Sequence, residues 1–348
     1  MASAFRRKFP QRCYDQQVPF RDITGHDHLK PLIARAALRG TLPPSLIFAG
    51  PSGIGKRMAA VALAQLVNCA TPVDDDACGE CGSCRRIARG VHADVLLIEP
   101  GDTGAIKIEQ VRDAIERSAY RPFEGRRRIV VIDEADRIIA AAQDALLKTL
   151  EEPPSSTTFV LVTAAPEMLL PTIRSRCQRL RFGRLSPADV ARVLVQSHEF
   201  PEAAAHTAAA VSDGSVGQAI EGSSDAFVEA RQAALALLRT VAGHPPPARR
   251  IMGAGGLPGA GRSKADRDAL GQSLRALGTI LRDLGVLGSH SDGRTLANAD
   301  LRKDLEPLVR SFDTERILHA YAAVDRALDA LGRNASPKIV ADWLAFQI

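Results

Sequence analysis

Residues 48–60, FAGPSGIGKRMAA, come within one residue of completing a phosphate-binding loop. The pattern G-x-x-x-x-G-K-[ST] is met by Gly50, Gly55 and Lys56, with Gly53 inside the loop. In such a loop the backbone N–H groups and the N-terminus of the following helix cradle an anion, and the lysine adds a full charge. The last position calls for a hydroxyl to hold the magnesium that accompanies the phosphates. Here it is Arg57, a cation with no acceptor to offer a metal. About 80 residues on, the apolar run of VVIDEAD delivers Asp133 to a strand end, where an acid can hold magnesium. Glu134 beside it could orient an attacking water. The bland alternative is a solvated acidic turn after a buried strand.

A second set of reactive side chains lies between these two. Four of the six cysteines, Cys69, Cys78, Cys81 and Cys84, follow the spacing C-x8-C-x2-C-x2-C. Four soft thiolates within reach of one tetrahedral centre favour zinc. A disulfide framework is not expected, because nothing suggests export. Unligated surface cysteines are the remaining alternative. Cys13 and Cys177 stand apart. The four lie just after the loop's helix and away from Asp133 and Glu134, so the expected zinc is structural.

These groups need a frame, and the chain is long enough to supply one. Its 348 residues are 45% hydrophobic and 24% charged, ordinary values for a soluble protein of two or three domains. No stretch approaches the roughly 18 uncharged apolar residues of a membrane helix, so no membrane partner is expected. The start, MASAFRRKFPQRCYDQQ (1–17), is basic without an apolar core. It reads as a loose tail rather than a secretory signal, and a cytoplasmic location is expected. A net charge of +5 permits contact with nucleic acid, but solvated surface charge accounts for it as well.

The first 184 residues alternate strand-like and helix-like runs. SLIFAG (45–50), DVLLIEP (94–100), RRIVVIDEAD (127–136) and TFVLVTAA (158–165) are short and rich in β-branched residues. Helical stretches separate them, among them 57–68, 107–120 and 140–154, the last stopped by Pro153 and Pro154. That alternation predicts an α/β domain with a parallel sheet covered on both faces. Ligands bind such sheets at the carboxyl ends of the strands, where Gly50–Lys56 and Asp133–Glu134 both fall. Arg126, Arg127 and Arg128 read as a solvated basic turn. After 181–186 Ala and Leu dominate and the rest reads as helices. Phe227, Ala230, Ala234, Leu238 and Val241 share one helical face, as do Ile317, Tyr321, Val324, Leu328 and Leu331. Residues 243–264, rich in Pro and Gly, predict a mobile loop.

The glycine loop, the four-cysteine insertion, IDEAD (132–136), ALLKTLEEPP (145–154) and SRC (175–177), in this order, resemble the bacterial DNA polymerase III clamp-loader AAA+ family. The opening PFRDITGHDHLKPLIARAALRGTLPPSLIFAGPSGIGK (19–56) is similar to the family's as well. The likeness is dense over about 200 residues and thins in the helical remainder, where NASPKIVADWL (334–344) still matches. It implies a RecA-like AAA+ domain over 1–184 carrying the cysteine module at 69–84, a helical lid over 185–224, and an all-α collar over 225–348.

In that family the ATP-hydrolysing gamma/tau subunits have Ser or Thr after the loop lysine and an arginine in a lid motif of the form G-S-x-R-D-A. Here those positions are Arg57 and Gly217, within Gly214-Ser215-Val216-Gly217-Gln218-Ala219. Two parts of the hydrolytic site are therefore missing, and turnover of magnesium ATP in this chain's own site is not expected. Thr163 matches the family's first sensor position. Arg176 of SRC is intact, and the resemblance implies an arginine finger that reaches a neighbouring subunit's nucleotide. A kept finger beside a lost site is similar to the family's delta-prime class. The implied partners are the gamma/tau and delta subunits, and, through the complex, the sliding clamp and primed DNA.

Two other readings stand beside this one. A gamma/tau-type ATPase would have to hold magnesium on Asp133 alone. A zinc-dependent nucleic-acid-binding module would account for the cysteines and the basic charge. Such modules interleave aromatic and basic residues. Residues 69–84 contain no aromatic and three consecutive aspartates.

Overall fold

The computed structural model describes residues 19–101, 104–223, 225–261, 263–289, 296–332 and 335–348. The tail 1–17 with Cys13, and also Ser224 and Asn334, lie outside them. The chain divides into two compact units, 1–202 with 213–217, and 203–212 with 218–348.

The first unit is built on five parallel strands: β1 (Ser45–Ala49), β2 (Val95–Ile98), β3 (Arg128–Ile132), β4 (Thr157–Thr163) and β5 (Gln178–Arg181). Their spatial order is β2-β3-β4-β1-β5. β1, β3 and β4 are buried along their whole length. Side chains alternate strictly between two cores, as a period of two requires. Leu46, Phe48, Ile129, Val131, Val160 and Val162 face one core. Ile47, Ala49, Val130, Ile132, Phe159 and Leu161 face the other. The α/β expectation is thus met, parallel sheet included.

Helices α1 (Leu29–Leu38), α2 (Lys56–Asn68) and the short α3 (Gly82–Ala88) pack into the first core. Helices α4 (Ile108–Ala119), α5 (Ala140–Glu151) and α6 (Pro171–Arg176) pack into the second. Helix α5 stops just ahead of Pro153 and Pro154. Helix α7 (Pro187–His198), N-capped by Ser186, completes this unit. The register pairs Ala49 with Thr163 and Ile132 with Leu161, which gathers the ends of β1, β3 and β4 at one edge.

The second unit is helical throughout its described residues. Helices α8 (Glu202–Val211) and α9 (Val216–Gly222) begin at the division. They are followed by α10 (Asp225–Ala242), α11 (Pro247–Gly255), α12 (Lys264–Gly288), α13 (Arg302–Val309), α14 (Thr314–Gly332) and α15 (Pro337–Gln347). Ala230, Ala234, Leu238 and Val241 of α10 are buried on one face, as their spacing implies.

Two expectations need correction. Residues 243–264 contain the helix α11, not a loop throughout. Pro247 at its first turn lacks only an N–H that would go unpaired there, and Ile251, Ala254 and Leu257 reach the core. Tyr321 leaves the predicted stripe and is 43% exposed, whereas Ile317, Val324 and Leu331 on the same helix are buried.

Candidate functional site

The glycine loop hangs from the end of β1, with Gly50 N donating to Thr163 O at 3.2 Å. Gly53 and Gly55 adopt φ of +73° and +92°, a region that favours glycine. Gly55 is the N-cap of α2. The segment 213–217 lies directly on this loop. Gly217 N donates to Gly53 O at 3.1 Å and Ser215 Oγ donates to Ser52 O at 2.9 Å. A Cβ on Gly217 would lie 2.9 Å from Gly53 Cα, and one on Gly53 would lie 2.5 Å from Ser215 Oγ. A side chain at position 217 would therefore force one of these two backbone segments to shift.

Lys56 is buried, and burial draws its ammonium down to about 8, against the pull of Asp133 and Asp136. Its Nζ donates to the loop's own carbonyls, Gly50 O at 2.8 Å and Pro51 O at 2.5 Å. Arg57 Nη1 pairs with Glu99, the residue after β2, and lies 3.4 Å from Asp133 Oδ2, at the end of β3. Burial raises the Asp133 carboxyl while Arg57 opposes the rise. Glu134, at φ +47°, turns its carboxylate to Arg137 at 2.5 Å. Thr163 Oγ1, at the end of β4, donates to Asp136 Oδ1 at 2.6 Å.

The structure therefore brings Gly50, Gly53, Gly55, Lys56, Arg57, Asp133 and Thr163 to one edge of the sheet. Arg176 has a separate setting at the end of α6. Its Nη2 pairs with Glu151 at 2.6 Å and its Nη1 donates to Thr172 O at 3.0 Å, with about a third of the side chain exposed. Glu99, Asp136 and Glu151 were not singled out in the sequence. Glu99 carried a readable signal, since it follows the run VLLI as Asp133 follows IVVI.

The four cysteines converge. The Sγ atoms of Cys69, Cys78, Cys81 and Cys84 all lie within 4.8 Å of one another, with 3.5 Å between Cys69 and Cys78. Tetrahedral zinc–thiolate bonds of about 2.3 Å require sulfurs roughly 3.8 Å apart, so the residues fit that ion. Burial resists ionisation at all four, and raises Cys69 and Cys84. At Cys78 and Cys81 hydrogen bonds, including those from the N–H groups of Cys81 and Cys84, outweigh it and lower the thiols. The module is tied down by Asp76, whose carboxylate accepts from Phe20 N at 3.1 Å and Arg21 N at 2.8 Å. Of the three aspartates, Asp76 is thus a buried anchor.

Asp94, fully buried, organises the turn before β3. Its carboxylate accepts from Phe123 N, Glu124 N and Gly125 N at 2.7 to 2.9 Å and from Arg128 Nη2 at 2.8 Å. Burial works against its charge, yet these donors hold the carboxyl down at about 2. Arg128 also donates to Tyr120 O and Arg121 O. The reading of Arg126–Arg128 as a solvated turn is corrected accordingly: Arg126 is exposed, Arg127 half-buried and Arg128 buried.

The family described as DNA polymerase III, delta subunit, matches residues 25–186. The DNA polymerase III subunit tau of Bacillus subtilis is 35% identical over 167 residues, which cover 48% of this chain and 29% of that protein. The subunit tau of Escherichia coli is 36% identical over 166 residues, covering 48% and 26%. The chain thus spans less than a third of either relative. Among solved structures, a DNA polymerase III, gamma subunit-related protein from Thermotoga maritima aligns with 92% of this chain and 98% of its own at 16% identity and a TM-score of 0.42.

Proposed function

Residues 25–186 are an AAA+ domain of the bacterial clamp-loader family, and on that premise we propose that the chain is a delta-prime-type subunit of the DNA polymerase III clamp loader. In this reading it does not turn over ATP itself. It places Arg176 against the nucleotide of a neighbouring gamma/tau subunit, while residues 225–348 join the collar of the complex and 185–224 act as the lid. The delta subunit, the sliding clamp and primed DNA are met in the same assembly.

The observation that carries the reading is a contrast of two arginines. Arg57 turns inward to Glu99 and Asp133, where a hydrolytic site needs a metal-binding hydroxyl. Arg176 lies at the surface on a short helix, its guanidinium steered by Glu151 and Thr172. A finger adds charge where the transferring phosphoryl group develops it and is worth several orders of magnitude in rate. In a reconstituted loader, Arg176→Ala should slow the neighbouring site on the order of 10³-fold. Arg176→Lys should rescue poorly, because a point charge cannot reproduce the planar bidentate grip. A loss of thermal stability with unchanged DNA-stimulated ATPase would reduce Arg176 to a packing residue.

The cysteines would hold one structural zinc, with Cys69, Cys78, Cys81 and Cys84 as ligands. Zinc, when bound, supplies a tetrahedral cross-link and takes no part in phosphate chemistry. A second reading, a gamma/tau-type ATPase, is favoured by the names of the matched relatives. Magnesium-dependent turnover by the purified chain, abolished by Lys56→Ala, would select it.

A further inference from the structure

Magnesium nucleotide, implied by the fold family, does not fit the loop as this chain builds it. In a loop that takes it, the hydroxyl after the lysine and the acid at the strand end both meet the ion. Here one guanidinium reaches that acid. Arg57 spans from Glu99 at the end of β2 to Asp133 at the end of β3, and its side chain is 23% exposed. Lys56, the cation meant for the phosphates, is committed to two loop carbonyls. Gly217 rests on Gly53 of the loop by a direct backbone hydrogen bond.

We propose that Arg57 is a tethered counter-ion standing in the place of the magnesium, so that the loop is completed from within and takes no nucleotide. The charge balance supports this. Two carboxylates gathered at adjacent strand ends repel unless a cation sits between them, and a guanidinium does this with fixed geometry and no dissociation. A divalent ion would have to enter beside a charge of its own sign. Arg57 thereby fastens the start of α2 to the ends of β2 and β3.

The test uses the isolated full-length chain, so its outcome is separate from that of the Arg176 experiment in the assembled loader. Thermal midpoints are compared in buffer, in about 1 mM ADP with magnesium, and in the same ADP with EDTA. Wild type should not move in any of them. Arg57→Thr should lose roughly 2–4 °C in buffer. It should then recover with ADP and magnesium together and not with ADP and EDTA. Arg57→Lys keeps the charge and should stay blind to nucleotide. A nucleotide-induced shift in wild type, or an Arg57→Thr protein blind to magnesium ADP, overturns the proposal. Should Arg57→Thr fail to fold, equilibrium dialysis of wild type against labelled ADP decides: retention with or without magnesium overturns the proposal, and no retention upholds it.

Discussion

The glycine loop and the cysteine cluster are both built like ligand sites, and they balance their charges in opposite ways. At the loop, each cation meets a protein acceptor: Lys56 two carbonyls, and Arg57 two carboxylates. At the cluster, four sulfurs converge within 4.8 Å, and the contacts among them are thiol to thiol and backbone N–H to sulfur. Donors that lower Cys78 and Cys81 favour thiolates, and converging thiolates repel unless a cation lies among them. A family motif therefore does not say whether a ligand is wanted. The charge balance of the finished site does.

The sharpest way to break this contrast is to remove the ion. Purified protein should carry one zinc per chain, and Cys81→Ser or a strong chelator should remove it. Because metal binding adds directly to folding free energy, the first unit should then lose on the order of 10 °C. Metal analysis and a melting curve on one preparation check both halves. A metal-free protein of unchanged stability would erase the difference between the two regions.

Asp94 supplies an internal control, a buried charge completed without any ion. Asp94→Ala would strand Arg128 and three N–H groups, and should cost about 3–5 kcal/mol. In wild type the Asp94 carboxyl is depressed, from the ordinary 3.8 to about 2. The folded state therefore binds fewer protons than the unfolded state between those values. Its contribution, about 2 kcal/mol, is complete above pH 4 and fades as pH falls towards 2. Urea melts between pH 5 and 2 should show the loss in wild type and a flatter profile in Asp94→Asn.

The smallest effect belongs to the contact between Gly217 and Gly53. Gly217→Ala puts a methyl group 2.9 Å from Gly53 Cα and should cost about 1–3 kcal/mol. Gly217→Arg should restore no nucleotide response for the same reason. A response to magnesium ADP in that variant would count against the proposed role of Arg57.

The sequence made the frame readable because its signals are local. Runs such as IVVI and FVLV declare buried parallel strands by composition, and the proline pair after α5 marks its end. The glycine, lysine and cysteine positions were legible by spacing alone. What spacing could not tell was which partner each charge would take. Arg57 meets Glu99 across 42 residues and Arg128 meets Asp94 across 34, and neither separation follows a helix or hairpin rule. Helix α11 hid for a different reason. The prolines and glycines of 243–264 suggest a loop, but Pro245, Pro246 and Pro247 precede or open the helix, Pro258 follows it, and the apolar residues at 251, 254 and 257 fix it by tertiary packing. Tyr321 errs the other way, since a period of 3.6 defines a stripe and not how far round the helix the core extends.

The strand order has a consequence in time. β1 carries the glycine loop, yet both of its neighbours come late in the chain: β4 begins at Thr157 and β5 at Gln178. A nascent chain that has exposed residues 45–56 must wait for more than a hundred further residues before β1 can be bracketed. At synthesis rates of about 5–20 residues per second, that delay is on the order of ten seconds. Such non-local parallel pairing is slow to nucleate. Until β5 arrives, Phe48 and Ile47 have no complete core to enter, and the loop has no edge from which to hang. The cysteine module, finished by residue 84, is translated well before that. If it takes its ion early, one corner of the first core is fixed before the sheet is complete, and the glycine loop is among the last parts of the unit to set.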